Sequence, residues 1–192
     1  MLVIFSIHDI IAGMKRTVQE AVAVLARGGS VIARTDTLYG VLARADDEMA
    51  VASVYRIKNR TPHKSCIVLI AKPEHAYAPL PPTAMALFTE MPTSLLVDSP
   101  MAPAWLLREN QQVAYRIPVG CEWLLKVLEL TGPLIAPSAN PEGQLPATRI
   151  AEAKAYFGTA IQLYVDGGMV EHAVAPSRLV RLQPNGQLQY IR

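Results

Sequence analysis

The sequence predicts an α/β domain, residues 1–192, built on one twisted mixed β-sheet flanked by helices. Strand-like apolar runs and segments of helical period are interspersed without strict alternation, which favours a mixed sheet over a regular doubly wound one. The composition, 51% hydrophobic and 18% charged, suits a packed core and not a disordered chain. A length of 192 residues is enough for one compact domain with a substantial interior.

Each element has its own signal. From Thr17 to Ala26 a helix is expected, with Val18, Val22 and Leu25 on one face and Gly28-Gly29 as the stop. SVIART then reads as a short buried strand running into TDTLYG, a loop rich in hydroxyls. Asp46 or Asp47 can cap a second helix carrying Val51, Val54 and Ile57. That helix ends in Lys58-Asn59-Arg60, and Pro62 prevents its continuation. CIVLIA is strand-like, Pro79 to Pro82 form a connector, and Thr83 to Glu90 start a further helix. QVAYRIP and PLIAPSAN read as strands that deliver polar groups at their C-terminal ends. A helix opens at Ala147-Thr148, runs through Tyr156 and closes at Gly158. IQLYVDGG and SRLVRL are strand-like, and Pro184-Asn185-Gly186 has hairpin-turn chemistry before the last strand, LQYIR.

Several function classes fit poorly. A net charge of +2 is too weak for a dedicated nucleic-acid binder. Cys66 and Cys121 have no metal spacing, and a disulfide-built secreted scaffold is not expected. Cys66 reads as a core residue. His8, His63, His75 and His172 show no metal-ligand spacing, and no P-loop, G-x-G-x-x-G or G-x-S-x-G is present. The apolar start is interrupted by Asp9 and lacks a cleavage site. No apolar run is long enough to cross a membrane. A cytoplasmic protein with no membrane partner is expected.

Four short segments could carry chemistry. Lys58 and Arg60, helped by Lys64, can turn cations toward a polyphosphate, or simply compensate the helix dipole. Pro137-Ser138-Ala139-Asn140 presents a hydroxyl and an amide suited to phosphate or ribose oxygens, or to its own backbone as a turn. Thr35-Asp36-Thr37-Leu38-Tyr39-Gly40 gathers hydroxyls and a carboxylate where open α/β sheets place ligands. Arg116, inside an apolar strand, must find an anion or reach solvent. That anion could be a substrate carboxylate or an internal Asp or Glu.

Taken in order, these segments resemble the YrdC-type threonylcarbamoyl-AMP synthase family over nearly the whole chain. TDTLYG is similar to its PTDTVYG loop, KNR to its K-x-R, YRIP to its RVP strand and PSAN to its S-x-N. VDGG, PSRLV and the terminal LQYIR resemble its later segments. The sequence departs at Arg34 and Thr61, where the family has proline, and at Pro92-Thr93, where a W-P-G-P-x-T segment is usual.

The resemblance implies a YrdC-like fold with a concave ligand surface, and synthesis of threonylcarbamoyl-AMP and pyrophosphate from L-threonine, bicarbonate and ATP. ATP would be a substrate, with Mg²⁺ associated with it. Lys58 and Arg60 would be the catalytic cations; Lys58, Arg60, Ser138, Asn140 and Arg192 would bind ATP. Thr35, Lys64, Arg116 and Ser177 would bind threonine, Arg116 through the carboxylate. No residue is expected to hold a metal directly. A threonylcarbamoyl transferase complex would take the product to tRNA, and weak direct contact with tRNA is a further expectation. The alternatives are a related carbamoyl-adenylate enzyme with another acceptor, and a non-catalytic double-stranded RNA or tRNA-binding module.

Overall fold

The computed structural model describes residues 7–107, 111–171, 176–183 and 185–192. Helix α1 (Ile7–Ala26) starts earlier than the sequence suggests and ends where expected. Gly28, at φ 74°, turns the chain, and the amides of Gly28 and Gly29 satisfy the carbonyls of Leu25 and Val24. Strands β1 (Val31–Arg34) and β2 (Tyr39–Arg44) form a hairpin, with Arg34 opposite Tyr39. The last two residues of TDTLYG, Tyr39 and Gly40, are therefore strand and not loop. In the next helix, α2 (Glu48–Ile57), the Asp47 carboxylate caps the N-terminus by accepting from the Ala50 amide at 3.0 Å.

Next come β3 (Ile67–Leu69), α3 (Pro82–Met85), α4 (Leu87–Glu90), β4 (Thr93–Asp98) and β5 (Gln112–Arg116). The helix expected from Thr83 to Glu90 is thus two short turns of helix. Helix α5 (Glu122–Thr131), β6 (Leu134–Ile135), α6 (Ile150–Phe157), β7 (Leu163–Val165), β8 (Arg178–Leu182) and β9 (Leu188–Tyr190) complete the chain. Strand β4 and helix α5 lie in stretches without a sequence assignment. Gly186, at φ 81°, makes the turn before β9. Pro184, placed in this turn from the sequence, lies outside the described residues, as does His172.

Among the described residues the strands form one mixed sheet in the order β7-β1-β2-β6-β3-β5-β4-β8-β9. Parallel pairs (β1 with β7, β3 with β5, β4 with β8) are mixed with antiparallel ones, so the expected fold class holds. Side chains of one parity in β1, β2 and β6 pack with Val18, Ala21 and Leu25 of α1 and Leu124, Val127 and Leu128 of α5. The opposite face packs against α2, α6 and the segment from Ala76 to Leu107. Each large apolar side chain fully buried here contributes about 1.5–3 kcal/mol.

The first face is not covered along its whole width. Ile67, Ala114 and Leu96, paired across β3, β5 and β4, line a cavity together with Leu179 of β8, which pairs with Ser94. The helices cover one half of a sheet face, and the other half forms the floor of the site.

Candidate active site

Three loops and two strand ends meet around that floor. The β1–β2 turn is closed by Thr35, whose amide and hydroxyl both donate to the Leu38 carbonyl, at 2.9 and 2.8 Å. The Thr35 hydroxyl also accepts from the Thr37 amide at 3.2 Å. Strand β2 then carries the turn alongside the Ser-x-Asn segment. The Val41 amide donates to the Pro137 carbonyl at 2.8 Å and the Ala139 amide to the Tyr39 carbonyl at 2.7 Å. Two motifs far apart in sequence are thereby set side by side by an extended ladder.

Thr35, Arg60, Arg116, Ser138, Ser177 and Arg192 line one cavity of about 490 Å³. Arg60 enters from the loop after α2. Its Nη2 donates to the Ser65 carbonyl at 2.6 Å and its guanidinium lies 5.7 Å from the Tyr55 ring centroid. Arg60 Nε is buried without a hydrogen-bond partner among the described residues. Ser177 and Ser94 share a hydroxyl–hydroxyl bond of 2.9 Å across the floor. Arg192 folds back over the start of β8 and its Nη2 donates to the Ser177 carbonyl at 3.3 Å.

Lys58, Asn140 and Lys64 stand outside the cavity lining. Lys58 is 2% exposed and its ammonium donates to the backbone carbonyls of Ser138 and Asn140. Burial first, and the Arg60 charge second, push its pKa down to about 8. Asn140 braces the same loop. Its Oδ1 accepts from Ser138 Oγ at 2.6 Å, and its Nδ2 donates to the carbonyls of Pro141 and Gln144 at 2.9 and 2.8 Å. Lys64 is exposed and paired with Glu142.

Arg116 has found an internal anion, one of the two partners its sequence context demands. Its Nη2 lies 3.2 Å from Asp36 Oδ1, with both side chains buried. Asp36 Oδ1 and Arg116 Nε make no hydrogen bond among the described residues. Burial raises the Asp36 pKa more than Arg116 and the Val119 amide lower it, and burial lowers that of Arg116. Arg116 lines the cavity and Asp36, its buried partner, does not.

The Asp166-Gly167-Gly168 segment is fastened to the hairpin by Tyr39 and Arg34. The Tyr39 hydroxyl donates to the Gly168 carbonyl at 2.7 Å, lies 3.2 Å from Asp166 Oδ1 and accepts from the Gly167 amide at 2.9 Å. Arg34 donates to the carbonyls of Gly167 and Met169 at 3.1 and 3.3 Å. A Cβ on Gly167 would fall 2.6 Å from the Arg34 Cβ, so glycine is required by this approach. Tyr39→Phe removes a satisfied buried hydroxyl, and an equilibrium urea titration should show a loss of about 1–3 kcal/mol. An unchanged midpoint would mean that the segment is held by Arg34 alone.

Among the described residues no three His, Cys, Asp or Glu side chains come together as metal ligands. The cavity instead offers cations, hydroxyls and amides, a donor set suited to anionic oxygens. Among the described residues no helix is long and apolar enough to cross a membrane.

Comparison with known proteins places this architecture. A family model described as "Telomere recombination" (Sua5_yciO_yrdC) matches residues 23–192. A threonylcarbamoyl-AMP synthase of Halorhodospira halophila is 31% identical over 158 residues, covering 78% of this chain and 82% of its own. One of Alkalilimnicola ehrlichii is 27% identical over 169 residues, covering 84% and 89%. The crystal structure of P. abyssi Sua5 complexed with L-threonine superposes with a TM-score of 0.82 at 28% identity, covering 93% of this chain. This chain spans about half the length of that protein, 54%. E. coli YciO, at 17% identity and a TM-score of 0.77, shares the fold.

Proposed function

Since the chain belongs to the Sua5/YciO/YrdC family, we propose that it is a threonylcarbamoyl-AMP synthase using ATP, L-threonine and bicarbonate. The observation that carries the proposal is the single cavity lined by Thr35, Arg60, Arg116, Ser138, Ser177 and Arg192. Relatives that match most of this chain bear the synthase name, and a structural neighbour was crystallised with L-threonine.

The reaction joins two anions. The threonine amine condenses with bicarbonate to give a carbamate and water. A carbamate oxygen attacks the α-phosphorus of ATP while the bond to the pyrophosphate oxygen breaks, and pyrophosphate leaves. The protein must hold both anions together and spread their charge, which preorganised cations and donors do without reorganising.

In this reading Arg60, Ser138 and Arg192 contact the nucleotide. Thr35, Ser177 and Arg116 face threonine, with Arg116 oriented by Asp36 and offering its cavity side to the carboxylate. Lys58 and Asn140 shape the Ser138 loop from behind, and Lys58 adds positive potential. Lys64 serves the rim through Glu142. Mg²⁺ would enter with the nucleotide, associated with its phosphates.

One domain carries the whole site, in the cytoplasm, and a transferase passes the threonylcarbamoyl group on to tRNA. The test is pyrophosphate release that requires L-threonine and bicarbonate together.

A further inference from the structure

We propose that Glu142 is the positioning residue for Arg60, an inference that rests on reading the cavity as an ATP site. The loop after α2 has little regular structure of its own. It leaves the helix through Asn59, at φ 49°, and the Arg60 amide donates back to the Tyr55 carbonyl at 2.9 Å. Beyond Arg60 the next fixed point is supplied by Glu142. Its Oε2 accepts from the Thr61 amide at 2.6 Å and from the Thr61 hydroxyl at 3.1 Å, and its Oε1 accepts from the Lys64 ammonium. The Glu142 amide in turn donates to the Lys58 carbonyl at 2.7 Å.

Glu142 thus grips the backbone on both sides of Arg60, at Lys58 and at Thr61. Its side chain does not line the cavity, so it acts through Arg60 and not on a ligand. The guanidinium it steadies is braced by Ser65 and Tyr55, with Nε lacking a hydrogen-bond partner among the described residues. The two motif loops are thereby locked in register, because Lys58 ties the loop of Ser138 and Asn140 from the other direction.

The parts of this grip are unequal. Lys64 is 57% exposed on its side chain, and an exposed ion pair contributes little. The bond from the Thr61 amide to a carboxylate is short and charge-assisted, and it fixes main chain. Hydrogen bonding by Lys64 first, and by the Thr61 amide next, holds the Glu142 carboxyl down at about 2. It is ionised throughout the neutral range.

The experiment measures ATP affinity, with pyrophosphate release alongside, on the full chain and its variants. Glu142→Ala should weaken ATP binding about tenfold, and Arg60→Ala/Glu142→Ala should bind no more weakly than Arg60→Ala alone. Glu142→Gln, whose amide oxygen still reaches the Thr61 amide, should keep binding within about threefold of wild type. Glu142→Asp keeps the charge but not the reach, so it should bind ATP more weakly than Glu142→Gln. That contrast carries the test if the alanine variant does not fold. Losses that add in the double variant, wild-type ATP binding by Glu142→Ala, or Asp outperforming Gln would each overturn the proposal. Wild-type protein that binds no ATP would instead overturn the reading of the cavity itself, before Glu142 is at issue.

Discussion

Arg60→Ala should lower kcat by roughly 10²–10³, about 2.7–4 kcal/mol, the usual loss when a preorganised transition-state donor is removed. The residue already stands in the cavity wall, held by the Ser65 carbonyl and the Tyr55 ring. Its orientation is therefore set before a ligand arrives. It is only intermediate in exposure, and truncation removes a charge without opening the core. Stability should change little. Pyrophosphate release under saturating substrates, with a melting curve on the same sample, checks both statements. Activity near wild type would remove Arg60 from the site.

Lys58→Met should cost both stability and activity. The ammonium is buried at the end of α2 and donates to the carbonyls of Ser138 and Asn140. Methionine fills the space but removes that donor: the Ser138 carbonyl keeps the Asn140 amide at 3.0 Å, while the Asn140 carbonyl loses its ammonium partner. A denaturant titration should show a loss of about 1–3 kcal/mol, the cost of one acceptor left without its donor. Catalysis should fall with it, because the loop presenting Ser138 loses its brace.

The pH dependence gives a second signature. The folded pKa of Lys58 is lowered to about 8, from 10.5, mainly by burial. Between those values the unfolded chain holds the proton and the folded chain does not, so this group's contribution grows as pH rises. The stability gap between wild type and Lys58→Met should widen from pH 8 toward pH 10.5 and narrow as pH falls through 8. A full loss of activity in a variant of wild-type stability would instead make Lys58 a direct ligand group.

Much of the site was legible because its motifs are contiguous. Hydroxyls gathered at the end of a buried strand, a K-x-R at a helix end and a Ser-x-Asn after an apolar run can each be read locally. What those residues do to one another could not be. Chemistry required Arg116 to meet an anion, and Asp36 was visible, yet only the fold brings them to 3.2 Å. Lys58 reads as a phosphate cation, and nothing in K-N-R announces that its side chain turns inward to carbonyls.

The missed elements have similar causes. Strand β2 is buried on both faces for most of its length, so it lacks the alternation that marks a half-exposed strand. Helix α5 places Leu124, Val127 and Leu128 at helical spacing, but Cys121 gives it no side-chain cap to mark its start. The departures from the family pattern also find reasons. Thr61 supplies an amide and a hydroxyl to Glu142, and proline has neither. Arg34 is tied to Gly167 and Met169.

Release of pyrophosphate from ATP, with L-threonine and bicarbonate omitted in turn, tests the central claim most directly. Release that needs both, and that collapses in Arg60→Ala, is the expected result. Release indifferent to threonine would keep a nucleotide site but contradict the synthase, and folded protein that binds ATP without releasing pyrophosphate would contradict catalysis altogether.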